Sequence, residues 1–164
     1  MRHLLAALAL SLSASALAVG VGERAPELAA PRLGEPAQIL TIAALRGSVV
    51  YVDFWASWCV PCRQSMPALD ALYRKHGPAG FTVVGVSKDV NEADARRFLE
   101  RVAVAFPLVL DDGDRLARAF DVKAMPSGYL IDQAGVVRRV HRGFTDVTAA
   151  QLDAEIQSLL GVKR

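Results

Sequence analysis

The chain contains two cysteines, Cys59 and Cys62, which are separated by Val60 and Pro61 and follow a strongly apolar run. We predict that this run is a strand and that a helix follows it, so the first sulfur lies at the helix N-terminus and the second lies one turn further in. Sulfurs at this spacing can form a disulfide. Unpaired amides and the helix dipole favour a negative charge on Cys59, and thiols in such positions have pKa values of about 3.5–7.5 instead of about 8.5. We therefore expect Cys59 to be a thiolate that attacks disulfides.

Other uses of a cysteine pair fit this sequence less well. A structural disulfide between cysteines so close in sequence would stabilise the fold by only about 2 kcal/mol. A metal site would need further ligands, and His76 and His141 do not have the spacing of Cys–His sites. Arg63 stands where covalent haem attachment requires a histidine. We predict a redox-active pair that needs no metal or cofactor, and we keep a Cu(I)-binding chaperone module as an alternative of another class.

The elements that position the pair are predicted from apolar periodicity. Residues 48–55 are almost entirely β-branched or aromatic, which is typical of a central strand buried on both faces. The Pro- and Gly-rich residues 22–36 predict an extended arm without regular structure. The other predicted strands are 39–42, 81–87, 108–110, 127–131 and 136–141, and the predicted helices are 61–76, 92–102, 114–120 and 146–160.

The order of these elements predicts the fold class. A strand–helix–strand–helix half is followed by a hairpin through residues 132–135 and by a final helix. Asp114 is expected to cap the free amides of the third helix. We predict an α/β protein with three layers, α/β/α, and a mixed central sheet, in one domain that covers residues 19–164.

Residues 1–18 differ from the rest of the chain. They combine a basic start, an apolar run and small residues at positions 16–18, which is typical of a secretory signal peptide. The apolar run is shorter than the roughly 20 residues that span a bilayer, so an uncleaved membrane anchor is the alternative. We predict a periplasmic protein, because disulfides persist outside the cytosol. The formal net charge is +2 and no segment concentrates Lys and Arg, so we do not expect nucleic acid as a partner.

The sequence VDFWASWCVPC at Val52–Cys62 resembles the active-site strand and turn of thioredoxins. The segment Glu23–Glu27, an extra strand–helix segment around residues 81–110, and Met125–Pro126 resemble the exported TlpA/ResA branch, which includes cytochrome c maturation thioredoxins. This resemblance covers nearly all of residues 22–160. It implies a thioredoxin fold with an extra strand–helix insertion.

The same resemblance implies partners and a direction of electron flow. A member of this branch is expected to be a monomeric thiol-disulfide oxidoreductase that reduces the disulfides of client proteins. Apocytochrome c and copper-site proteins are the candidate clients, and a membrane thiol electron donor is expected to recharge the enzyme.

Asp53 lies in the middle of the apolar strand. Burying an isolated carboxylate costs several kcal/mol unless it is protonated or paired, so a raised pKa is expected. Asp53 stands six residues before Cys59, where thioredoxins have an aspartate that exchanges a proton with the inner cysteine. The exported branch more often has asparagine there. The alternative is a carboxylate that reaches solvent or is held by a structural partner.

The resemblance also assigns contact residues for the client. It implies a cis peptide bond between Met125 and Pro126, next to the disulfide, with Met125 facing the client. Trp58 is expected to be partly exposed beside the first cysteine. Together with Val60, Pro61 and Pro126 it completes the predicted contact set.

A peroxiredoxin-like peroxidase is an alternative within the enzymes, because it shares the N-terminal segment and the extra strand–helix segment. Its Pro-x-x-x-Thr/Ser-x-x-Cys signature is missing here. Val52 occupies the position where that signature requires proline before Cys59.

Overall fold

The computed structural model describes residues 19–161, so the signal peptide predicted for residues 1–18 lies outside the described part of the chain. Within residues 19–161, no helix is long and apolar enough to cross a membrane. The strands are β1 (Ala29–Arg32), β2 (Glu35–Thr41), β3 (Val49–Trp55), β4 (Phe81–Ser87), β5 (Leu108–Leu110), β6 (Ser127–Ile131) and β7 (Val137–Arg142), and the helices are α1 (Cys62–His76), α2 (Glu92–Leu99), α3 (Arg115–Ala119) and α4 (Asp146–Leu159).

The strands form a mixed sheet, as predicted, in the order β2-β1-β5-β4-β3-β6-β7. β3 pairs in parallel with β4 and antiparallel with β6, and β5 extends the parallel part of the sheet beyond β4. Every residue of β3 is buried, which explains its nearly unbroken apolar sequence. The chain leaves β3 through a short turn and enters α1, so both cysteines lie at the carboxyl end of the central strands.

Helices cover both faces of the sheet, and each face has its own core. Tyr51 and Trp55 of β3 face a core that includes buried side chains of α1, α2 and α4. Val52 and Phe54 face the opposite core, which α3 and the segment before β1 complete. The predicted three layers are therefore present. The second helical layer is thin because α3 has only five residues.

The N-terminal region differs from the prediction of an extended arm over residues 22–36 and a short strand over residues 39–42. β1 lies within the predicted arm, and β2 is longer than predicted and forms the sheet edge. β2 is mostly exposed, so it shows no apolar alternation, and its pairing with β1 shifts register after Pro31. An exposed edge strand is held by backbone hydrogen bonds, so its sequence does not need to alternate between apolar and polar residues.

Two helix ends also differ from the prediction. α2 ends at Leu99, before the predicted residue 102. Asp114 does not cap α3; it has a positive φ of 58° and forms an ion pair with Lys88. Asp111 takes the capping role, because its carboxylate accepts hydrogen bonds from the N–H groups of Leu116 at 2.7 Å and Ala117 at 2.8 Å.

Candidate active site

Cys59 and Cys62 are joined by a disulfide, with an S–S distance of 2.07 Å and a Cα–Cα distance of 5.3 Å. α1 begins at Cys62, and Pro61 precedes it with helical dihedrals. The pair therefore lies at the predicted junction of β3 and α1, but Cys62 is the first residue of α1 and does not lie one turn inside it. Cys59 is 5% exposed and Cys62 is fully buried. Cys59 is thus the sulfur that another molecule can reach.

The start of α1 favours a negative charge on this accessible sulfur. The first turn of α1 contains no acidic residue, and the basic Arg63 follows Cys62. The positive end of the helix dipole is therefore not neutralised by a carboxylate of the same turn. Such an environment lowers the pKa of a cysteine thiol.

An open cavity of about 580 Å³ lies beside Cys59. Its lining includes the predicted contact residues Trp58, Val60, Pro61 and Met125, together with Lys88 and residues 122–124. Trp58 and Val60 are 66% and 67% exposed, so two apolar residues flank the sulfur on the surface. Apolar surface of this kind marks a site that another molecule covers.

The loop that ends at Met125 forms one wall of this cavity. The Met125–Pro126 peptide bond is cis, as the resemblance predicts. Pro126 itself is buried and does not line the cavity. Its position next to Met125 indicates that it shapes the loop, whereas the prediction included it among the client contacts.

Asp53 is buried beneath the active-site turn and is only 1% exposed. Side chains alternate along a strand, so Asp53 points to the same face as Tyr51 and Trp55, the face that packs against Cys62. Neither carboxylate oxygen has a hydrogen-bond partner among residues 19–161. Burial raises the pKa of Asp53 well above its ordinary value. The alternative of a solvated or structurally paired carboxylate is therefore wrong.

The neighbours of Asp53 explain why it has no partner. The hydroxyl of Tyr51 lies 3.3 Å from His141 Nδ1 instead of bonding Asp53. Gly128, which pairs with Asp53 across the sheet, leaves room for the Tyr51 ring, because a Cβ at this position would lie 1.8 Å from the Tyr51 hydroxyl. The carboxyl group of Asp53 is thus enclosed without a donor that would stabilise its charge.

Asp89 anchors the active-site turn and was not among the residues predicted from the sequence. Its carboxylate, in a residue that is 4% exposed, accepts hydrogen bonds from the Ser57 N–H at 3.0 Å and the Ser57 hydroxyl at 2.6 Å. It also accepts one from the Ser87 hydroxyl at 2.8 Å. Asp89 follows β4, the parallel neighbour of β3, and the carboxyl ends of parallel strands lie together. The polar residues after β4 are the signal that could have identified it.

Replacing Asp89 by alanine is expected to lower the free energy of unfolding by about 2–4 kcal/mol, because the partly buried donors of Ser57 and the buried hydroxyl of Ser87 lose their acceptor. Urea unfolding of the oxidised protein measures this change. Asp112→Ala is the control, since Asp112 is exposed, and it should change stability by less than about 0.5 kcal/mol. Equal stability of the two variants would show that Asp89 does not anchor the turn.

Thiol–disulfide exchange is the chemistry open to this site. The loop closed by the disulfide is too short for the bond to add more than about 2 kcal/mol of stability. Its accessible sulfur faces an open cavity, where an exchange partner can approach. The fold and site accordingly define a thiol-disulfide oxidoreductase of the thioredoxin type.

Comparisons with known proteins identify the family. The AhpC/TSA family matches residues 21–140. The chain is 33% identical over 123 residues to the thiol-disulfide oxidoreductase ResA of Geobacillus thermodenitrificans, a match that covers 75% of this chain and 70% of that protein. It is 27% identical over 139 residues to the ResA protein of Bacillus cereus, and this match covers 85% of this chain and 78% of that protein. The chain therefore belongs to the AhpC/TSA family and is a homologue of the ResA thiol-disulfide oxidoreductases.

A solved structure supports the same assignment. A crystal structure from Chlorobium tepidum, described as a thiol:disulfide interchange protein DsbE, is 38% identical and superimposes with a TM-score of 0.82. The match covers 87% of this chain and 99% of that one. The thioredoxin fold predicted from the sequence is confirmed.

Proposed function

We propose that this protein is an exported reductant, which transfers two electrons from the Cys59–Cys62 dithiol to disulfides of client proteins in the periplasm. The position of Cys59 in the wall of an open cavity carries this proposal, because a client disulfide can meet this sulfur while Cys62 is fully buried. The signal-like residues 1–18 and the ResA relatives support export and the direction of electron flow.

The first step is attack by the Cys59 thiolate on one sulfur of the client disulfide. A bond forms between Cys59 and that sulfur, the client S–S bond breaks, and the other client sulfur leaves as a thiolate that takes a proton. Trp58, Val60, Pro61 and Met125 contact the client during this step. Pro126 holds Met125 in place.

The second step resolves the mixed disulfide. Cys62 gives its proton to the Asp53 carboxylate, and the resulting thiolate attacks the sulfur of Cys59. The Cys59–Cys62 disulfide forms, the second client sulfur leaves as a thiolate that takes a proton from water, and Asp53 returns its proton to solvent. The client has then gained two electrons and two protons. The raised pKa of Asp53 supports its role, since it makes the carboxylate a better base for a thiol proton.

A fresh cycle needs a dithiol donor. A membrane thiol electron donor reduces the Cys59–Cys62 disulfide by the same exchange in reverse order. The clients are apocytochrome c or copper-site proteins, whose cysteines must be reduced before they bind haem or metal. No cofactor takes part in either step.

The reduction potential of the Cys59/Cys62 pair tests the direction of flow. Equilibration with a glutathione buffer, read by alkylation and mass spectrometry, should give a value nearer to about −270 mV than to about −120 mV. A value near about −120 mV would identify an oxidant and contradict the proposal. Hydrogen peroxide consumption by the reduced protein is the control for the peroxidase alternative, and we expect none above the rate of the Cys59→Ser variant.

A further inference from the structure

A second cavity, of about 230 Å³, adjoins the active-site turn. Ser57 and Arg63, which flank the disulfide in sequence, form part of its wall. Phe98 and Val102 contribute an apolar part of the lining. The remaining lining residues are Asp94, Arg97 and Arg101, which lie on α2 or just after it. We call this site the arginine cavity.

The arginine cavity has an excess of positive charge. Its three guanidinium groups face a single carboxylate, that of Asp94, which is already bound to Arg97 at 3.1 Å. The side chains of Arg63 and Arg101 form no ion pair or hydrogen bond with any residue in the range 19–161. Two guanidinium groups are therefore available to an anion from outside.

The cavity beside Cys59, in contrast, has no unpaired cationic side chain among the described residues. Its lysines, Lys88 and Lys123, each form an ion pair, with Asp114 and Asp121 respectively. The positive charge of the first cavity is thus largely neutralised, whereas Arg63 and Arg101 carry unpaired positive charge in the arginine cavity, beyond the buried Asp89 carboxylate that Ser57 binds. Arg96, which is on α2 but outside the cavity, is also paired, with Glu92.

The arginine cavity is within reach of a client bound at Cys59. Ser57 precedes Cys59 by two residues, so their Cα atoms are at most about 7.6 Å apart. An extended client segment advances about 3.3 Å per residue, so residues two to four positions from the reacting cysteine can extend over this cavity. A carboxylate there can accept paired hydrogen bonds from a guanidinium group.

We propose that the arginine cavity selects clients that carry Asp or Glu within a few residues of the reactive cysteine. This inference rests on the proposed exchange reaction, because the client must first engage Cys59. The competing interpretation is that these arginines are ordinary solvated side chains, in which case client charge has no effect on rate.

The test compares two synthetic peptides with the unaltered, reduced protein. Each peptide has one internal disulfide, and the residues two and three positions from one cysteine are Glu in the first peptide and Gln in the second. We expect the second-order rate constant to be about tenfold larger for the Glu peptide at low ionic strength. The difference should shrink to less than about twofold at about 1 M salt, where charges are screened within about 3 Å.

Variants assign the preference to the cavity. Arg101→Gln should lower the Glu/Gln rate ratio by about threefold. Arg24→Gln is the matched control, because Arg24 is exposed and pairs with Val136 in the hairpin region, at the opposite end of the sheet from the disulfide. This control should leave the ratio unchanged.

The outcomes separate this inference from the proposed function. Reduction of both peptides at equal rates would overturn the inference and leave the proposed exchange intact. An equal loss of preference in Arg101→Gln and Arg24→Gln would also overturn it, because the effect would then come from net charge alone. Failure to reduce either peptide would overturn the exchange itself and the inference with it.

Discussion

Replacing Cys62 by serine is expected to stop turnover and to trap the protein in a mixed disulfide with its client through Cys59. The first attack needs only the accessible sulfur, whereas release needs the buried one. We expect steady-state reduction of a disulfide substrate to fall by more than about a hundredfold. Insulin reduction measures turnover, and mass spectrometry under non-reducing conditions detects the trapped complex.

Cys59→Ser is the matched control for this experiment. It removes the accessible sulfur, so turnover should be lost without a trapped complex. Both variants lack the Cys59–Cys62 disulfide, so a difference between them reports the separate roles of the two sulfurs. A stable adduct on Cys59→Ser, or normal turnover by Cys62→Ser, would contradict the assigned roles of the two sulfurs.

Replacing Asp53 by asparagine is expected to stabilise the folded protein at neutral pH. Burial raises the pKa of Asp53 in the folded state, so the folded protein keeps a proton that the unfolded chain loses above about pH 3.9. Asp53 therefore lowers stability as pH rises, by up to about 1.4 kcal/mol per pH unit, until the pH passes the folded-state pKa. Asparagine does not titrate. The difference in free energy of unfolding between the variant and wild type should therefore grow as pH rises above about 3.9 and level off above the folded-state pKa of Asp53.

Urea unfolding of the oxidised wild-type and variant proteins between about pH 4 and pH 9 measures this difference. Asp70→Asn is the control, because Asp70 is also buried but accepts a hydrogen bond from the Ala105 N–H at 2.6 Å and pairs with Arg74. Asparagine keeps an oxygen that can accept from the Ala105 N–H but loses the ion pair with the exposed Arg74, so stability should fall by less than about 1 kcal/mol. A pH-independent difference between Asp53→Asn and wild type would contradict a raised pKa.

The same Asp53→Asn variant should reduce disulfides more slowly. Asparagine cannot accept the Cys62 proton, so resolution of the mixed disulfide should slow by about a hundredfold. Single-turnover kinetics with a disulfide peptide separate this step from the first attack, whose rate should stay within about twofold of wild type. An unchanged resolution rate would remove Asp53 from the mechanism while leaving its effect on stability.

The sequence predicts the core of this site well, because the relevant information is local. The cysteine spacing, the apolar run before it and the helix after it lie within one continuous segment, residues 51–76, and each has a recognisable pattern. The cis bond at Met125–Pro126 is a different case. It is predicted by resemblance and is confirmed, whereas the residues alone indicate only a proline at the start of a strand.

The parts that sequence analysis misses depend on contacts between distant segments. Asp89 bonds Ser57 from 32 positions away, and the pattern around neither residue reveals the other. The arginine cavity likewise combines Arg63 of α1 with Arg101, which follows α2. The β1–β2 hairpin is missed for another reason, since its exposed edge strand needs no apolar alternation.

The proposed exchange requires Cys59 to be an accessible, acidic thiol beside a protected partner. The most direct test is the rate of iodoacetamide alkylation of each cysteine in the reduced protein as a function of pH, followed by peptide mapping. We predict that Cys59 reacts with a midpoint between about pH 3.5 and pH 7.5, and that Cys62 reacts far more slowly because it is buried. A midpoint of about pH 8.5 for Cys59, as for a free cysteine, or faster modification of Cys62, would show that Cys59 is not the activated, accessible thiol.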